Sequence, residues 1–278
     1  MVTGTKKLHI LCMIKNMLNQ KRYYSKSISN NPSVSIIFLT FNRFYYTKET
    51  LPALLNSSQY PFKVRIVDNG STDETVVFLK NLNHPNIEKI IFNKKNEGLV
   101  KPTKQFWKET DAELIGKIDN DILVPQKWID NLVIAHKSIP QLGVMGYCHF
   151  REEDINHEKV ALKMEEINGI KFRRQPWIGG NYLMKKSTVI DNKGYKKSRK
   201  FFKNRILYGF NKYQEKLAKS GFIHGYLCNS QKLLYTWDHI DDPRHPLFFK
   251  NKEYYKIRNM TEDDIVKWFK RDAKELLQ

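Results

Sequence analysis

The sequence predicts an α/β chain, a mostly parallel sheet with helices on both faces. Apolar runs such as Val34 to Thr40 are nearly continuous, as in strands buried on both sides. Helical stripes alternate with these runs across short connections. Polar clusters stand at three of the strand ends.

Val34-Ser35-Ile36-Ile37-Phe38-Leu39-Thr40 is the first strand, and a helix follows with Leu51, Leu54 and Leu55 on one side. Phe62 to Val67 is the second, ending at Asp68-Asn69-Gly70. Ser71 with Glu74 reads as a capping box for a helix carrying Val76, Leu79 and Leu82, which leaves Asp68 free. Ile87 to Phe92 is the third strand and Leu99 to Thr110 the third helix. Leu114 to Ile118 is the fourth strand and runs into Asp119-Asn120-Asp121. Pro125, then Trp128, Ile129, Leu132 and Val133, mark the fourth helix. Thr261 with Asp264 caps a terminal amphipathic helix bearing Ile265, Trp268, Phe269, Leu276 and Leu277.

With 278 residues, 41% of them hydrophobic, the chain has ample material for a core, which excludes a disordered or collagen-like polymer. Cys12, Cys148 and Cys228 form no C-x-x-C pair, so neither a disulfide framework nor a cysteine zinc site is expected. The apolar run Leu8 to Ile14 is too short to span a bilayer and no small-residue cleavage site follows it. The expectation is a cytoplasmic protein, with peripheral contact at the inner membrane face left open. Residues 1–32 read as a basic leader and linker, whose residues 8–18 suit either a surface-lying amphipathic helix or a frayed terminus. Residues 33–260 form the main domain, with halves 33–135 and 136–260, and residues 261–278 the terminal helix. The net charge of +19 admits nucleic acid, an anionic membrane face or a phosphorylated small molecule as partner.

In parallel sheets ligands bind beyond the carboxyl ends of the strands, where Thr40-Phe41-Asn42-Arg43, Asp68-Asn69-Gly70-Ser71 and Asp119-Asn120-Asp121 converge. Two carboxylates flanking one residue suit Mg2+ or Mn2+ held together with substrate phosphates. Asp68 can accept from a ribose hydroxyl or a base N–H. Helix starts at Ser71 and Gly98, with Arg43, Lys101 and Lys117, offer positive charge to phosphate. Neither G-x-x-x-x-G-K-[ST] nor G-x-G-x-x-G occurs, so P-loop and dinucleotide readings fall away.

The ordered series Val34 to Arg43, Val67-Asp68-Asn69-Gly70-Ser71-Thr72-Asp73, Asn96-Glu97-Gly98 and Asp119-Asn120-Asp121 resembles glycosyltransferase family 2, of the GT-A (Rossmann-like) fold. The resemblance is close over residues 33–135 and implies that Thr40, Asn42, Arg43, Asp68 and Asn69 contact the nucleotide. Asn96, Gly98 and Asn120 stand with them as substrate-binding positions, and Asp119 and Asp121 as the pair on metal and diphosphate. In the second half, Trp177-Ile178-Gly179-Gly180-Asn181 resembles the segment below sugar and acceptor, with a plain turn as the other reading. Asp238-His239-Ile240-Asp241 resembles a segment whose histidine, here His239, completes the metal site. Many members carry a Glu-Asp pair that supplies the general base, and Tyr208 to Glu215 lacks one. Glu215 and Asp241 are the two carboxylates left to consider. Glu215 suits equally an exposed pairing with Lys219.

The resemblance implies a metal-dependent, inverting glycosyltransferase acting on a nucleotide-sugar donor and a glycan, lipid-linked glycan or glycoprotein acceptor. Surface-polysaccharide assembly would be a natural setting. The basic-aromatic stretch Lys193 to Arg205 favours an acceptor or anionic membrane over nucleic acid, with a solvated loop as the plain reading. The rival is a catalytically inactive GT-A-like basic module that binds anionic membrane or nucleic acid. A nucleotidyltransferase is a second rival, and would want a Gly-rich basic loop after the first strand.

Overall fold

A computed structural model describes residues 28–192, 201–202, 205–206, 209–229, 232–233, 242–248 and 260–277. The helix suggested for residues 8–18, most of the basic stretch from Lys193, and both His239 and Asp241 lie outside the described residues.

The first half alternates as the sequence predicts: β1 (Val34–Thr40), α1 (Phe44–Leu55), β2 (Lys63–Asp68), α2 (Thr75–Asn81), β3 (Ile87–Phe92), α3 (Val100–Glu109), β4 (Leu114–Asp119) and α4 (Trp128–Ser138). The second half adds β5 (Leu142–Gly146), α5 (His157–Ala161), β6 (Met164–Ile167), β7 (Ile170–Arg174), β8 (Asn181–Lys185) and α6 (Lys186–Asn192). The paired two-residue strands β9 (Phe201–Phe202) and β10 (Arg205–Ile206) follow. Then come α7 (Gly209–Lys219), β11 (Ile223–Asn229), β12 (Lys232–Leu233) and α8 (Glu262–Leu277).

One sheet runs β3-β2-β1-β4-β8-β5-β11-β7-β6, with β12 on β11. The pairs β1–β2, β2–β3 and β1–β4 are parallel, while β8 is antiparallel to both β4 and β5. The sheet is thus parallel in its first half and mixed beyond β4. Its position order places the carboxyl ends of β1, β2 and β4 side by side, with the start of β8 against the end of β4.

Alternation along β1 splits the core in two. Ile36 and Phe38 join one apolar cluster with Leu51, Leu54 and Trp128; Ile37 and Leu39 join the other with Phe106 and Trp107. Each large side chain buried this way stabilises the fold by about 1.5–3 kcal/mol. Continuous apolar runs are therefore required in β1, because helices cover both faces.

The terminal helix is capped as its sequence indicates. Thr261 N–H donates to Asp264 Oδ2 at 2.9 Å, and Asp264 N–H donates back to Thr261 Oγ1 at 3.2 Å. Ile265 and Phe269 are buried, and Ala273 reaches the second core cluster, so α8 is docked on the domain. The capping box expected at Ser71 does not form. Helix α2 begins only at Thr75, and Ser71 Oγ instead accepts the Asn42 N–H at 2.7 Å.

Candidate active site

The chain leaves β1 through two consecutive left-handed residues, Asn42 (φ 53°) and Arg43 (φ 64°). A left-handed non-glycine residue costs about 1–2 kcal/mol, so neighbouring bonds must hold this turn. Asn42 Oδ1 accepts the Thr72 N–H at 2.8 Å, and Asp73 Oδ2 accepts the Phe44 N–H at 3.0 Å. The loops after β1 and β2 are thereby locked together. Arg43 emerges from the turn with Nη1 2.7 Å from Asp121 Oδ2.

Asp68 closes β2 and is 1% exposed. Its Oδ2 accepts the Ser71 N–H at 3.1 Å, whereas its buried Oδ1 has no partner among the described residues. Asp68 is therefore not wholly free, as the supposed Ser71 cap implied, although its second oxygen is unpartnered among the described residues. Asn69 turns away from that role. Its amide donates to Asn96 Oδ1 and the Gly98 carbonyl, and its Oδ1 accepts from Asn93 Nδ2 and the Glu97 N–H. It braces the loop before α3, where Asn96 Oδ1 also takes the Gly98 N–H at 2.8 Å. Lys101 is exposed and pairs with Glu97.

At the end of β4 alternation decides the roles. Asn120 is buried; its Nδ2 donates to Thr40 Oγ1 and Thr47 Oγ1, and its carbonyl accepts from Thr50 Oγ1 at 2.9 Å. Asp119 and Asp121, on either side of the inward Asn120, are partly buried, their side chains 34% and 16% exposed. Thr40 belongs to the same inner network, its hydroxyl 2.9 Å from that of Thr47. Lys117, buried two residues before Asp119, makes an ion pair with it.

The segment 177–180 forms the facing wall. The Gly180 carbonyl accepts the Asp119 N–H at 3.1 Å, and a Cβ on Gly180 would overlap the Asp119 carboxylate. Gln214 of α7 fixes this wall, its Oε1 accepting the Ile178 N–H at 2.8 Å and its Nε2 donating to the Ile178 carbonyl at 2.9 Å. Trp177 is half-buried beside it and Gly179 is open to solvent. Glu215, next to Gln214, points outward and is exposed. At the start of α7 Phe210 stacks on Tyr182 with ring centroids 4.6 Å apart, an apolar contact where the family resemblance leads one to look for an acid.

His149 also borders the crevice, a residue that the sequence pattern alone does not single out. It follows the end of β5, its ring borders Gly179, and its Nδ1 lies 3.1 Å from the Tyr226 hydroxyl. Gly146, where a Cβ would overlap the Asn181 carbonyl, lets β5 and β8 approach this closely. A histidine just past a buried strand in a parallel-sheet crevice was the available signal.

A divalent ion needs hard oxygen donors. Asp119 and Asp121 provide two carboxylates over a glycine cradle, and no third His, Cys, Asp or Glu joins them among the described residues. That donor set fits Mg2+ or Mn2+ completed by diphosphate oxygens, while Arg43 and Lys117 add fixed positive charge beside it. No described helix is long and apolar enough to cross a membrane.

Comparison with known proteins agrees with this fold. The mannosyltransferase PcManGT of Pyrobaculum calidifontis, solved with GDP-Man and Mn2+, superposes with a TM-score of 0.57 at 17% identity, covering 88% of this chain and 68% of that one. S. aureus TarS 1–349 in complex with UDP-GlcNAc gives 0.51 at 14% identity, covering 85% and 71%. By sequence, an uncharacterized glycosyltransferase of Haemophilus influenzae is 24% identical over 120 residues, covering 43% of this chain and 37% of its own. Hyaluronan synthase of Pasteurella multocida is 24% identical over 284 residues, covering 89% of this chain. The chain spans only 28% of that synthase's length, and 37% and 19% of the first two curated relatives it matches. The glycosyl transferase family 2 model matches residues 35–227, so the chain belongs to glycosyl transferase family 2, on a GT-A fold.

Proposed function

We propose that this domain transfers a sugar from a nucleoside-diphosphate sugar to an acceptor hydroxyl, with inversion at the anomeric carbon. The observation that carries the reading is the carboxylate pair Asp119 and Asp121, with Arg43 bound to Asp121 and Gly180 packed against Asp119. GDP-Man and Mn2+ in the mannosyltransferase, and UDP-GlcNAc in TarS, show what similar folds bind and support a nucleotide-sugar donor here.

In this reading the unpartnered Asp68 oxygen accepts from the nucleoside, and Arg43 and Lys117 stabilise negative charge on the diphosphate. Asp119 and Asp121 would hold Mg2+ or Mn2+, which when bound supplies Lewis-acid stabilisation of the departing diphosphate. The Gly179–Gly180 backbone admits the sugar closely. Thr40, Asn69, Asn96 and Asn120 act as scaffold that orients these groups.

Glu215 points away from the crevice, and Asp241 lies outside the described residues. The proton acceptor we assign is His149, beside Gly179 and oriented by Tyr226. A glycan or lipid-linked glycan is the proposed acceptor class, and peripheral contact with an anionic membrane is compatible with the +19 charge.

The test is a transfer assay pairing UDP-, GDP-, dTDP- and CDP-sugars with glycan acceptors, with and without Mn2+, scored by mass spectrometry and by the anomeric configuration of the product. Metal-dependent transfer with inversion supports the reading. Binding of anionic vesicles without any donor binding would favour the inactive basic module.

A further inference from the structure

Arg173 breaks a rule that the other inward-facing arginines of the described residues obey. Arg65 pairs with Glu88 and Glu109 at 2.7 Å each, Arg244 with Asp154 and Asp242 at 2.7 Å each, and Arg43 with Asp121. Arg173 has no carboxylate partner among the described residues. Its Nη1 donates to the neighbouring Arg174 carbonyl, and its buried Nε has no acceptor. Burial holds its pKa below the ordinary arginine value. Glu165, on the neighbouring strand and lining the same cavity as Arg173, lends it a favourable charge without touching it, so what stays unmet is the Nε hydrogen bond.

Two residues further on, and so on the same side of the extended chain, Gln175 is only 4% exposed. Its Nε2 is buried with no acceptor among the described residues. Arg173 and Gln175 line one open cavity of about 630 Å³, together with Lys163, Met164, Phe222 and His224. That size is in the range of small-molecule sites, roughly 300–1,000 Å³. Arg174 at the rim is already neutralised by two 2.6 Å hydrogen bonds to Glu165. His224 has both ring nitrogens occupied, Nδ1 accepting the Val144 N–H and Nε2 donating to the Gln214 carbonyl.

The cavity is separate from the crevice. His224 stands at the amino end of β11, which runs parallel to β5 and hence to β4. Asp68, Asp119 and Asp121 stand at or just past carboxyl ends of strands. None of them lines the cavity.

We propose that this cavity is a second ligand site, for a small saccharide carrying an oxyanion, with the Arg173 guanidinium and the Gln175 amide donating to that oxyanion. The unmet groups, Arg173 Nε and Gln175 Nε2, are both donors and one belongs to a guanidinium, which suits a carboxylate or phosphate oxygen. Met164 and Phe222 provide an apolar wall for a ring, which a bare inorganic anion would leave uncovered. The site stands apart from the proposed donor chemistry and does not depend on it.

The test is calorimetry of the full chain with glucose 6-phosphate, glucuronate, inorganic phosphate and uncharged glucose. At least one of the two charged sugars binds at millimolar concentration or below, more tightly than phosphate, and glucose does not bind. The phosphate and carboxylate arms tell which oxyanion the site takes. Arg173→Met weakens that binding at least about tenfold, the loss of a charge-assisted hydrogen bond. Gln175→Leu weakens it too while leaving the melting temperature unchanged or higher, because it removes an amide that has no partner. Asp121→Ala leaves it intact. No saturable binding by either charged sugar, binding unaffected by both cavity variants, or binding lost in Asp121→Ala would each overturn the proposal.

Discussion

Arg43 Nη1 lies 2.7 Å from Asp121 Oδ2, joining the left-handed turn after β1 to the second carboxylate after β4. Under the proposed function the pair sets a fixed cation beside the diphosphate. Arg43→Ala should weaken binding of the matching nucleoside diphosphate at least about tenfold, as expected for a lost charge-assisted contact. Titration calorimetry of the variant checks this, and an unchanged affinity contradicts it.

Gly180 is a tighter constraint than its exposed neighbour Gly179. Any side chain at 180 must displace the Asp119 carboxylate, whereas a Cβ at 179 meets only the edge of His149, at 3.5 Å. Gly180→Ala should therefore cost about 100-fold in kcat/KM, the scale of a 1 Å misplacement, and Gly179→Ala much less. Steady-state kinetics of the two variants decide the matter.

Replacing His149 by Gln should lower kcat by about 10²–10⁴-fold while leaving nucleotide affinity in place. The acid limb of the pH–rate profile should vanish with the imidazole. Retention of that limb would move the proton acceptor elsewhere.

Acid should destabilise the fold through two buried histidines. Burial pushes His224 down to about 4 and His136 down to about 3, from an ordinary 6.5. The unfolded chain therefore takes up these protons first, and stability falls as pH drops from about 6.5 toward 4. The His224 contribution amounts to about 3 kcal/mol once pH is below 4. Lys185, pushed down to about 8, acts in another window and makes stability rise between pH 8 and 10.5. Urea midpoints measured across pH, with His224→Asn flattening the acid side, test the histidine part.

The parallel half of the sheet was legible because burial on both faces forces continuous apolar runs, as in Val34 to Thr40. The Thr261–Asp264 cap was legible because its partners are three residues apart. The strand ends were legible as a cluster of polar residues, but not the division of labour within it. Thr40 and Asn120 spend their hydrogen bonds on each other and on Thr47, and Asn69 spends its own on the loop before α3; spacing does not reveal which lone pairs are already used. Ser71 was misread for the same reason: Asn42, twenty-nine residues earlier, claims its hydroxyl. His149 escaped because only the β5–β8 approach at Gly146 brings it beside Gly179.

The most direct test of the donor site is a thermal-shift series with UDP, GDP, dTDP and CDP, each with and without Mn2+, on the natural chain and on Asp121→Ala. A ligand at 100 times its Kd adds about 2.7 kcal/mol to the native state. The expected result is a manganese-dependent rise in Tm for one nucleotide that disappears in Asp121→Ala. A nucleotide shift that persists unchanged in that variant would contradict it.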